Sequence, residues 1–187
     1  MRTALGLLLF TIAAFAQDPA AVSAAQAACG RTGLNFDVKD DNSQHAVEQP
    51  EAGKALVYVI QDIGAIPCIG GCITTKVALD GTWVGANHHN SYLSFTVEPG
   101  ECHLCANWQS HFARLSGLVG LAHFTAEAGK VYYFRTRAFE AYKGAAYLDL
   151  DPIDSDLGKF LVASYPLSIS HPKKATQVTA NAASSGP

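Results

Sequence analysis

Apolar and polar positions alternate with a period of two through much of the middle of this chain, the pattern of strands with one buried face. In Tyr92-Leu93-Ser94-Phe95-Thr96-Val97, the residues Leu93, Phe95 and Val97 share a face. Ala55-Leu56-Val57-Tyr58-Val59-Ile60 is nearly all apolar, β-branched and aromatic, as a strand buried on both faces requires. Similar runs predict strands at Thr74–Leu79, Thr82–Gly85, Glu101–Trp108, His123–Ala126, Val131–Thr136 and Ala146–Leu150. Turn chemistry separates them. Asp80-Gly81 is a hairpin signal, because such a turn needs positive φ at both central positions. Pro99-Gly100 turns the chain by fixing φ at the first position and supplying positive φ at the second. The expected fold is mainly β: an antiparallel β-sandwich, Ig-like or prealbumin-like, of roughly seven or eight strands.

Two helices flank this domain. Residues 17–28 are Ala-rich, with Asp18 as N-cap, Pro19 at the first helical position and Gly30 where a left-handed stop belongs. A second helix is expected over Leu157, Phe160, Leu161 and Ala163, capped by Asp151 or Asp154 and stopped before Pro166. The organisation is therefore 1–16, a leader; 17–52, an N-terminal helix and polar connection; 53–150, the β-sandwich; 151–174, a C-terminal helix and extension; and 175–187, an Ala/Ser/Thr/Asn-rich tail expected to be disordered.

The leader changes how the rest is read. Arg2 precedes an apolar core at Ala4–Ala14, and Ala14-Phe15-Ala16 offers small side chains where a signal peptidase reads them. This is the three-part pattern of a secretory signal, too short to span a membrane. Export to a periplasmic or extracellular, oxidising compartment is expected. Of 187 residues, 49% are hydrophobic and 16% charged, so a sizeable core can form; the net charge is −3. The thirteen Lys and Arg are scattered, which disfavours nucleic acid as a partner, and no later apolar stretch approaches a membrane span.

Five cysteines, Cys29, Cys68, Cys72, Cys102 and Cys105, leave at least one without an intrachain partner. Cys102-His103-Leu104-Cys105 has CxxC spacing, but on a strand its two thiols point to opposite faces and can share neither a bond nor a metal. Structural disulfides among Cys29, Cys68, Cys72 and Cys105 are expected, with Cys102 the odd one out. A loop cysteine, Cys72 before Cys68, is expected to bridge to Cys105, and Cys29 to the other loop cysteine. Cys29 lacks the lipoprotein box that would make it a lipid anchor.

Other candidates are weaker. His88-His89, with His103, His111 and His123 elsewhere in the chain, offers imidazoles for zinc or copper, yet adjacent residues in a turn usually face solvent. Asp149, Asp151, Asp154 and Asp156 are spaced like a calcium loop, but Pro152 breaks that pattern. Trp83, Trp108, Tyr92 and Tyr132 suit either a sugar-stacking face or a core. Ser116 lacks the nucleophile elbow of a hydrolase. No catalytic residue, metal ligand or cofactor is assigned.

The opening strand Gly53–Val59, the hairpin Val77–Gly81 with Val84-Gly85, Tyr92, the turn Glu98-Pro99-Gly100-Glu101-Cys102 and the closing segment Phe124–Tyr133 resemble the bacterial family called domain of unknown function 2846 (DUF2846). The resemblance implies an exported β-rich protein and carries no catalytic residue. The expected function is a non-catalytic envelope or extracellular module that binds or assists, with an envelope polymer or protein as partner. The alternative is a Cys/His metal-binding or redox protein of the periplasm.

Overall fold

The computed structural model describes residues 23, 27–30, 34–43, 48–64, 73–109, 117–141 and 145–173. The leader, most of the Ala-rich N-terminal helix, the tail, and Cys68, Cys72, His111 and Ser116 lie outside these residues. The described strands are β1 (Phe36–Asp41), β2 (Ala55–Gln61), β3 (Thr74–Leu79), β4 (Thr82–His88), β5 (Ser91–Val97), β6 (Gly100–Gln109), β7 (Val119–Ala126), β8 (Val131–Ala141), β9 (Ala145–Ile153) and β10 (Leu167–Pro172), with helix α1 (Ser155–Ser164) before the last.

The strands form two sheets, one ordered β1-β10-β5-β2-β8-β9 and the other β4-β3-β6-β7. The turns form as their residues demand. Asp80 and Gly81 adopt φ of 46° and 81°, joining β3 to β4, and Gly100 opens β6 with φ 141°. The larger sheet is mixed, which corrects the purely antiparallel expectation: β2 runs parallel to β8, and β10 parallel to β5. The reason is topological. Between β2 and β8 the chain crosses to the smaller sheet twice, as β3–β4 and as β6–β7, with β5 returning antiparallel to β2 in between, and β8 then comes back in the direction of β2.

Two further strands depart from the expected organisation. β1 lies in the segment read as a polar connection, and β10 follows α1 in the extension; they pair antiparallel over Phe36–Asp41 and Leu167–Pro172. Asp37, Lys39, Asp40 and Asp41 give β1 the polar character of an edge strand, which hides it from an apolar period.

Between the sheets lies the main core. Val57 and Val59 of β2, Leu93 of β5 and Phe134 of β8 meet Val77 of β3 and Leu104 and Ala106 of β6, all buried. The opposite face of β2 is buried too, by α1: Leu56, Tyr58, Ile60 and Tyr133 pack against Leu161 and Val162. That double burial explains why β2 reads as a continuous apolar run. Burial pushes the Tyr58 phenol up to about 12. Asp154 caps α1 by accepting from the backbone N–H groups of Asp156 and Leu157, each at 3.0 Å. The helix ends before Pro166.

The two sheets are tied together at their margins. Ser170 accepts from the Ala86 N–H at 3.1 Å and Ser168 from the His88 N–H at 3.3 Å, so hydroxyls of β10 occupy backbone donors of β4. The Gln109 side chain accepts from the Phe36 N–H at 2.7 Å and donates to its carbonyl at 2.8 Å. On the other side Gly120 of β7 abuts β9 so closely that a Cβ there would lie 2.9 Å from the Leu150 backbone nitrogen. β7 and β9 thus meet in a close-packed corner.

Candidate binding face

The outer surface of β6 and β7 carries the most developed exposed chemistry. Alternation on β6 sends Cys102, Leu104 and Ala106 into the core, and Glu101, His103, Cys105 and Asn107 outward. The register sets Glu101 opposite Thr125, His103 opposite His123, Cys105 opposite Leu121 and Asn107 opposite Val119. The two imidazoles lie 4.8 Å apart, centroid to centroid, tilted by 34°. Each has a carboxylate beside it. Glu101 bonds the His123 Nε2 and accepts from the Thr125 hydroxyl at 2.9 Å. The Thr125 hydrogen bond, with that of His123, holds the Glu101 carboxyl below its usual range. Asp80 accepts from the His103 backbone N–H at 2.9 Å and lies 3.5 Å from its Nδ1.

Along the same strand the face turns apolar. Val119 and Leu121 keep 42% and 45% of their surface exposed, whereas Tyr147 of β9 lies with Asp149 and Asp151 on the outer face of the larger sheet. A β-scaffold can hold such side chains at little further cost in ordering, so this face suits recognition.

The cysteines pair differently from the expectation. Cys29 bonds Cys105, 76 residues apart in sequence, which overturns the Cys72–Cys105 pairing. The cause is the outward direction of Cys105, which faces the N-terminal segment: Ala28, Ala78 and Trp83 pack around the bond, and Gly81 donates to the Ala28 carbonyl at 3.0 Å. Cys68 and Cys72 lie outside the described residues. Cys102 is a buried free thiol whose burial raises its pKa.

The remaining candidates disperse. His88 and His89 are half-buried rather than exposed, their rings in edge contact at 4.6 Å, and His88 Nδ1 bonds the Thr74 hydroxyl at 2.9 Å. Burial, then the neighbouring His89, lowers the His88 pKa. His103 and His123 are on another part of the smaller sheet. Trp83 lies beneath Gly30 with the Lys76 ammonium 4.5 Å over its ring. Tyr92 is buried, and Trp108 and Tyr132 pack on the core, so these aromatics form no stacking face. Among the described residues no group of three or more His, Cys, Asp and Glu is placed to hold a metal ion.

Asp149 and Asp151 instead meet arginines, a constellation the sequence reading missed. On the outer face of the larger sheet, Asp151 pairs with Arg135 and Asp149 with Arg137 across β8 and β9. Arg137 reaches Asp151 at 3.2 Å, Arg135 reaches Asp62 at 3.5 Å, and the Tyr165 hydroxyl donates to Asp62 at 2.8 Å. Burial, then Asp62, raises the Tyr165 phenol to about 12. A cleft of about 400 Å³ opens beside them, lined by Asp62, Ile63, Arg137, Ala138 and Asp149. Two arginines two apart and two aspartates two apart, each set on one strand, were the available signal.

The fold and face define a two-sheet β-domain with a helix on one outer surface and a mixed ionisable and apolar face on the other. Residues 51–147, from the turn before β2 into β9, match the family model described as Protein of unknown function (DUF2846), and the chain belongs to that family. None of the curated proteins and none of the solved structures matches it significantly. No helix among the described residues is long and apolar enough to cross a membrane.

Proposed function

We propose that this protein is an exported, non-catalytic module of the cell envelope or extracellular space that binds an envelope polymer or protein through the β6–β7 face. The observation that carries the reading is that Val119 and Leu121 stay exposed on β7, on the same face as the His103–His123 pair and its carboxylates. Apolar side chains held out on a rigid scaffold and rimmed by ionisable groups are the composition of a recognition surface. The disulfide agrees with an oxidising compartment. In this reading the two sheets serve as an Ig-like or prealbumin-like scaffold. The alternative metal or redox reading rests on the paired His103 and His123; among the described cysteines, Cys29 and Cys105 are bonded to each other and Cys102 faces the core, so none of these joins them.

The test is expression of the full chain in a bacterium, followed by sedimentation with isolated envelope fragments. The expected protein is recovered outside the cytoplasm without residues 1–16 and pellets with the fragments. A Val119→Ser, Leu121→Ser double variant is exported equally and stays in the supernatant. Equal pelleting of both, or retention of the wild type in the cytoplasm, overturns the reading.

A further inference from the structure

One end of the core is polar. Gln61 ends β2, Thr75 sits in β3 and Asn87 in β4, all with 0% exposure and all turned between the sheets. Their donors are committed. Gln61 Nε2 donates to the Ile73 carbonyl and Asn87 Nδ2 to the Val59 carbonyl, each at 2.9 Å. Those contacts fix both amide orientations, because a flipped oxygen would face another acceptor. Three oxygens then remain without a protein partner: Gln61 Oε1, Asn87 Oδ1 and Thr75 Oγ1.

The three groups close a ring. Thr75 and Asn87 are cross-strand partners. Asn87 reaches Val59, two residues from Gln61 on the same face of β2. Gln61 reaches Ile73, two residues before Thr75. Each step spans about 5–7 Å, between sheets that lie about 10 Å apart.

We propose that the three oxygens border one space and that it is a binding site for one internal water molecule, which donates to Gln61 Oε1 and Asn87 Oδ1 and accepts from the Thr75 hydroxyl. The stoichiometry selects the ligand. Two amide oxygens need donors and one hydroxyl needs an acceptor, which is the complement of water, and three bonds is the usual number for a buried water. A divalent cation needs more oxygens and a carboxylate among them. The water links β2 of one sheet to β3 and β4 of the other.

Water-selective NOE and ROE spectra of the labelled full chain test this. Expected are cross-peaks from a long-lived water to the Thr75 methyl and to the side-chain amides of Gln61 and Asn87. In Thr75→Val, which keeps the volume and loses the hydroxyl, the cross-peaks weaken at least twofold or vanish. Lack of any water contact at all three residues in the folded wild type overturns the proposal, whatever the variant does. So does an unchanged spectrum in Thr75→Val. Shifts of these three residues that follow sodium or potassium against choline at fixed ionic strength would assign the site to a cation and overturn it as well.

Discussion

Replacing Cys29 by Ala is the perturbation with the largest calculable effect. The bond to Cys105 closes a loop across a sequence separation of 76 residues. Chain entropy for a loop of that length gives a stabilisation of about 4.5 kcal/mol, most of it from restricting the unfolded chain. Cys29 is the better position to change, since Cys105 has no exposed surface and its truncation would add a cavity to the lost crosslink. The contacts of Ala28, including its carbonyl on Gly81, do not depend on the sulfur and persist. Urea unfolding of wild type and Cys29→Ala, both without reductant, should therefore differ by about 3–4.5 kcal/mol. That corresponds to a fall in Tm of roughly 6–18 °C for a chain of this size. The denaturant slope should also rise, because the uncrosslinked unfolded chain exposes more surface. A loss below about 1 kcal/mol with an unchanged slope would refute the reasoning, since it would mean the bond does not restrict the unfolded ensemble.

Two further outcomes follow from packing and titration. Gly158→Ala in α1 should destabilise by about 1–3 kcal/mol despite the better helix propensity of Ala, because its Cβ would lie 2.3 Å from Tyr133 Cγ; a rise in Tm would contradict the close approach of α1 to β8. For His88, burial places the folded pKa below the ordinary 6.5, so the unfolded chain takes up the proton first as pH falls. The contribution of the neutral ring is present above that value and is withdrawn as pH drops through 6.5 towards the folded pKa. Tm should therefore fall more between pH 7.5 and 5.5 in the wild type than in His88→Gln, and parallel curves would show that burial at His88 has no titration consequence.

What could be read from the sequence, and what could not, divides along physical lines. β2, the Asp80-Gly81 hairpin and the Asp154 cap are local: their residue types specify a buried strand, a positive-φ turn and a helix start without reference to the rest of the chain. The opposite directions of Cys102 and Cys105 followed from strand alternation alone. β1 escaped because an edge strand pairs through its backbone and needs no apolar period, and β10, short and seated between β1 and β5, is specified by those neighbours rather than by its own pattern. The Cys29–Cys105 bond escaped for a related reason, since alternation gives the direction of a thiol and only the packing of Ala28, Trp83 and Gly81 gives its partner. The same holds for the candidate sites. His103 and His123 meet because the β6–β7 register brings them opposite one another, and a shift of one residue would send one of them into the core. Thr75 looked like an ordinary strand residue, and Gln61 and Asn87 lay past the ends of the expected strands, until two sheets enclosed all three. Chemistry in this protein therefore resides at pairings between elements: the apolar pattern specifies the scaffold, and the register decides which side chains can act together.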